Sequence, residues 1–190
     1  MKKQFLFLYP ISEFINAATI ISFKYEGHHA SELFYLIDKR YREKEYDINW
    51  LFFSKENDST APDLSNKPDY VKIQNLDNIL HAGVSFRKHC DEEVYPEPDY
   101  ILNQLPEHDK LVIGGFHQWD CVDKLARASY NNKIDTFVDE DTTELFFAGV
   151  IFRNIPLIRE EWSLKALGIK DEYYDYAVED RKNKPWLVQK

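Results

Sequence analysis

The run from Gln4 to Tyr9 is almost continuously apolar, as expected of a strand buried on both faces of a parallel sheet. Between His29 and Lys44 the period changes. Leu33, Leu36, Ile37 and Tyr41 recur at helical spacing with charges between them, which predicts an amphipathic helix. Ile48 to Phe53 predicts a second buried strand. Ser54 to Asp69, rich in Ser, Asn, Asp and Pro, reads as a long surface loop. Val84 to Phe86 predicts a short strand and Pro98 to Leu105 a short helix. A strand over Leu111 to Ile113 then runs into Gly114 and Gly115, a helix opens near Cys121, and a strand over Ile134 to Val138 ends in Asp139, Glu140 and Asp141. Beyond it the pattern predicts a helix over 144–152, a strand over 156–158 and a helix over 160–167 stopped by Gly168. Strand and helix signals alternating in this way predict an α/β fold, a three-layer Rossmann-like sandwich with a mainly parallel central sheet. The strands beginning at Gln4 and Leu111 should lie side by side.

Composition changes this picture little. The 190 residues suit one domain over 1–170 and a charged tail over 171–190 carrying Tyr173, Tyr174, Tyr176 and Trp186. Those aromatics suit docking on the domain itself or on a second subunit, which leaves a homo-oligomer open. The net charge of −9 argues against nucleic acid or an anionic membrane as partner, since both call for a basic face. Lys2 and Lys3 ahead of the apolar run superficially resemble a leader, but Pro10, Ser12, Glu13 and Asn16 break the run and favour a buried first strand. No run reaches the ~18 apolar residues of a membrane span. Two cysteines, Cys90 and Cys121, make no disulfide framework, so a reducing, cytoplasmic setting is expected.

The candidate chemistry centres on Cys121. A thiol at the start of a helix, at the carboxyl end of a strand, occupies the place where α/β sheets bind ligands. The helix N-terminus is expected to lower its pKa. Gly115, Cys121, Val122, Ala126, Arg127 and Val138, with Asp139 or Asp141, follow in an order that resembles the isochorismatase-like cysteine hydrolases. That resemblance implies hydrolysis of a small amide, ureido or related carbonyl compound. It also implies three catalytic groups: the cysteine, a lysine thirty to forty residues before it, and an acid after the first strand. Lys88, 33 positions before Cys121, matches the lysine. At the acid's place, registered on Phe14 as the following aromatic, stands Tyr9, and Glu13 is the nearest carboxylate. Tyr9, with an ordinary pKa near 10, is a poor general base.

His117 and Trp119, between strand and helix, are candidate substrate-binding groups, and His117 is also a candidate proton shuttle. Asp120 is expected to cap the helix. The family's Asp-x-His metal site is replaced by SKENDST, so no bound metal is expected. No cofactor is expected either, because no phosphate-binding glycine loop is present. His28-His29 makes no zinc site by itself, and Cys90, flanked by His89 and Asp91, reads as part of a surface loop. Three readings follow: an active thiol hydrolase with a small-molecule substrate, a catalytically silent member of the same fold used for ligand binding or protein interaction, and an unrelated flavodoxin-like domain with a structural thiol.

Overall fold

The first strand, β1 (Lys3–Leu8), is buried from Gln4 onward and lies at the centre of the sheet. It pairs in parallel with β2 (Asp47–Lys55) on one side and with β5 (Lys110–Gly115) on the other. The computed structural model describes residues 1–17, 30–143 and 182–187. Within it β6 (Asp135–Val138) extends the sheet beyond β5, again in parallel. The far edge of β2 is shared by β4 (Asn78–Ser85), which is parallel, and β3 (Asp58–Pro62), which is antiparallel. The strand order is thus β3-β2-β1-β5-β6, with β4 beside β2.

Alternation along β1 distributes side chains to two helical layers. Phe5 and Phe7 meet α1 (Ala30–Arg40) and the residue after it: Phe5 stacks on Tyr41 at 4.0 Å and Phe7 contacts Phe34 at 6.0 Å. Leu8 shares a cleft with Leu125 of α4 (Cys121–Asn131). Two shorter helices, α2 (Phe86–Glu92) and α3 (Pro98–Leu102), lie between β4 and β5. The mainly parallel α/β sheet, covered on both faces, is therefore as the alternation predicts.

Two local expectations are corrected. Much of the predicted loop over 54–69 is a hairpin, because β2 runs on to Lys55 and turns back as β3. The backbone of this edge strand pairs while its polar side chains remain mostly exposed, so composition hides the strand. The strand predicted at 84–86 is the end of β4, which begins at Asn78, and Phe86 already opens α2. Asn78 and His81 interrupt the apolar pattern there. The helices predicted at 144–152 and 160–167 and the strand at 156–158 lie outside the described residues. In the tail, Trp186 is buried, and its indole N–H donates to Asp123 of α4 at 3.0 Å.

Candidate active site

The site begins where β1 and β5 end together. Gly115 has φ +97, and a Cβ there would lie 2.2 Å from the Leu8 carbonyl oxygen, so the glycine ahead of the cysteine is a packing requirement. The Phe116 N–H donates to that same carbonyl at 3.2 Å. Tyr9 turns left-handed, with φ 55, its N–H bonded to Leu51 O at 2.8 Å. This turn carries the Tyr9 ring onto Phe53, stacked at 4.1 Å, and leaves its hydroxyl buried beside Cys121.

Cys121 is the first residue of α4 and is buried. Its Sγ lies 3.7 Å from His89 Nε2. The other ring nitrogen of His89, Nδ1, sits 3.2 Å from the Val94 carbonyl. A carbonyl only accepts, so Nδ1 carries the proton and Nε2 turns its lone pair toward the thiol. Rings on three sides fix the imidazole, with Tyr95 at 5.0 Å, Phe53 at 5.3 Å and Tyr9 at 6.3 Å. Asp120 completes a cluster in which donor atoms of His89, Asp120 and Cys121 all lie within 4.8 Å of one another.

The electrostatics reverse the expected sign. Burial, followed by the Asp120 carboxylate, pushes the Cys121 thiol up to about 12. The Lys124 ammonium and the Tyr9 hydroxyl pull it down, but by less. A helix N-terminus contributes only a partial charge, and desolvation of a thiolate outweighs it here. Asp120 is also not the side-chain cap expected of it. Its carboxylate makes no capping bond and instead pairs with Lys124 at 2.7 Å. The N–H groups of Asp120 and Val122 both donate to His117 O at 3.1 Å, which occupies two of the amides around the thiol.

Of the site residues expected from sequence, Tyr9 adjoins the thiol. Lys88 is exposed on α2, its backbone N–H bonded to the Ser85 hydroxyl that caps the helix, and the lysine beside Cys121 is Lys124. Glu13 is exposed, and its charge acts on Cys90 rather than on Cys121. His117 is exposed against Phe14 at 4.5 Å, and Trp119 is half-buried in the same loop. The segment around Cys90 is helix, not surface loop, and it delivers the residue that the sequence reading passed over, His89. Phe86 and His89 are three apart and share a helix face, whereas Lys88 is rotated about 100° away, a signal too short in a seven-residue helix to be read from the sequence alone.

A small cleft beside the sulfur is lined by Tyr95, Pro96, Pro98 and Ile101 among others. No family model matches the chain. An uncharacterised protein of Aquifex aeolicus (strain VF5) is 28% identical over 86 residues, which are 42% of this chain and 45% of that protein. The chain thus spans less than half the length of that relative. Among solved structures, an isochorismatase-like hydrolase from Alkaliphilus metalliredigens is 11% identical, with 97% of this chain and 92% of that one aligned at a TM-score of 0.49. N-carbamoylsarcosine amidase from Thermoplasma acidophilum is 16% identical over 94% and 92% of the two chains, TM-score 0.47. A cysteine hydrolase from Pseudomonas syringae pv. phaseolicola 1448A is 10% identical over 75% and 72%, TM-score 0.47.

Proposed function

We propose that the protein is a thiol hydrolase of small amide, ureido or related carbonyl compounds, with Cys121 as nucleophile and His89 as its base. The observation that carries this reading is the Cys121 Sγ to His89 Nε2 approach of 3.7 Å, with the imidazole tautomer set by Val94. A thiol pushed up to about 12 is neutral at rest, so the proton must leave as the sulfur attacks. His89 Nε2 takes that proton while Sγ bonds to the carbonyl carbon. The imidazolium then returns the proton to the departing amine. Water then attacks the thioester carbon as His89 Nε2 takes its proton, and the C–S bond breaks. The imidazolium returns that proton to Sγ, and the acid product leaves as a carboxylate or carbamate after losing its own proton to solvent. Such acid–base help contributes typically 10²–10⁴-fold.

The same raised thiol favours a second reading, a silent binding protein in which the neutral sulfur is part of the cleft wall. A panel of small amides, ureides and thioesters assayed on wild type, Cys121→Ser and His89→Gln separates the two. Turnover that vanishes in Cys121→Ser and falls by roughly 10²–10⁴ in His89→Gln is expected. Turnover indifferent to both variants would defeat the hydrolase reading.

A further inference from the structure

We propose that Cys121, His89 and Asp120 also form a site for one soft divalent cation of the zinc class, and that occupancy of this site excludes thiol catalysis. The inference shares its residues with the hydrolase reading but does not need that reading to hold. Thiolate, imidazole and carboxylate are the three donor types that zinc takes, and three protein ligands with one open position make the usual reactive zinc site. Zinc–sulfur and zinc–nitrogen bonds of ~2.3 and ~2.05 Å at a tetrahedral angle set sulfur and nitrogen roughly 3.6 Å apart. The observed separation is 3.7 Å, and all three donor atoms fall within 4.8 Å of one another.

Two further features point the same way. The His89 Nδ1 contact with Val94 O is the outer bond that commonly orients a metal-binding imidazole and keeps Nε2 free to ligate. The Tyr9 hydroxyl is buried beside the sulfur without a hydrogen-bond partner of ordinary geometry, and it suits a water or anion in the fourth position. The site is distinct from the Asp-x-His place at the end of the second strand, which here reads SKENDST. Binding forms a sulfur–metal bond, releases the thiol proton to solvent and requires Lys124 to give up part of its 2.7 Å pairing with Asp120. Once metal-bound, the sulfur shares electron density with the cation and is a much weaker nucleophile, and His89 Nε2 can no longer accept a proton.

The test is titration of the apo protein with cadmium, read by its sulfur-to-metal charge-transfer absorption, in parallel with zinc titration by calorimetry. One equivalent should bind, and the band should vanish in Cys121→Ser and persist in Cys90→Ser. His89→Gln should weaken binding about 10-fold or more, within the range seen when metal-site partners are lost. Asp120→Asn, at a position that makes no capping bond, should weaken it by a smaller factor. A band that follows Cys90, or one indifferent to His89→Gln, would overturn the site. Metal binding with no Cys121-dependent turnover would remove the hydrolase reading and leave the site intact. Turnover without specific cadmium binding would do the reverse.

Discussion

Two polar clusters lie at the carboxyl ends of neighbouring strands, and they are built in opposite ways. After β6, Asp139 is fully buried, and its carboxylate accepts from Arg40 at 3.0 Å on both oxygens and from the Tyr41 hydroxyl. Its N–H donates to Ile113 O at 2.9 Å, tying the carboxylate to β5. That cluster matches charge with charge. After β1 and β5, Cys121 meets an imidazole, a carboxylate and a phenol that do not satisfy one another, and the sulfur opens on a small cleft. The first arrangement is what a buried charge needs in order to be tolerated. The second leaves bonding capacity for something else. Acidic residues after β6 and a thiol after β5 both stand at strand ends in the sequence, and their partners tell the two clusters apart.

The comparison breaks most sharply if the two clusters respond alike to mutation. Cys121→Ser should abolish hydrolysis while shifting the melting temperature little, because the change is small and the thiol is neutral at rest. Asp139→Ala should do the opposite, with a cost of about 3–5 kcal/mol from breaking a buried pair. Thermal denaturation at ~2–4 °C per kcal/mol for a chain of this size reads that loss directly. Hydrolysis per folded molecule should be retained. Equal losses of stability in both variants would erase the distinction.

Alkaline pH sharpens the contrast. Cys121 binds its proton up to about 12 in the folded chain, against an ordinary value of 9.0. Between those values the unfolded chain releases the proton first, so folding stability falls as pH rises through the window. Denaturant unfolding at pH 8 and pH 10.5 should show this fall in wild type and a smaller one in Cys121→Ser. Alkylation of Cys121 by iodoacetamide should climb about tenfold per pH unit above neutrality without a plateau below pH ~11. Tyr9→Phe should slow that alkylation at any fixed pH, since the hydroxyl pulls the thiol down. It should change stability by less than ~1 kcal/mol, because it removes a buried hydroxyl whose contact with the thiol is not an ordinary hydrogen bond. Rapid labelling of Cys121 at pH 6.5 would contradict the raised thiol.

Much of this architecture was legible in the sequence. The apolar runs of β1, β2 and β5 identified the sheet's centre, and the Gly115-to-Cys121 interval placed the thiol at a helix start because only glycine fits against Leu8. Tyr9 was legible as the residue at the end of β1, though not its stacking on Phe53. What sequence could not supply was orientation and balance. His89 depends on which face α2 turns inward, and residues 86–92 are too few to declare a face by periodicity alone. The sign of the thiol shift depends on how burial and Asp120 weigh against Lys124, Tyr9 and a helix end, a sum that only the packed structure determines.

Lys88 gives the smallest expected effect. The family resemblance makes it the expected electrostatic partner of Cys121, yet it is exposed on α2, one residue out of phase with His89. An exposed lysine acts on a buried sulfur through solvent, where screening removes most of the interaction. Lys88→Ala should therefore change stability by less than ~0.5 kcal/mol and leave Cys121-dependent turnover within about twofold. Lys124→Met is the informative companion, because Lys124 is the cation that pulls the thiol down and pairs with Asp120 at 2.7 Å. Losing it should raise the thiol further and slow alkylation severalfold at pH 8. If Lys88→Ala proved the more damaging of the two, α2 would have to rotate by about one residue in the working protein. His89 would then leave the sulfur, and the base proposed for it would fall with it.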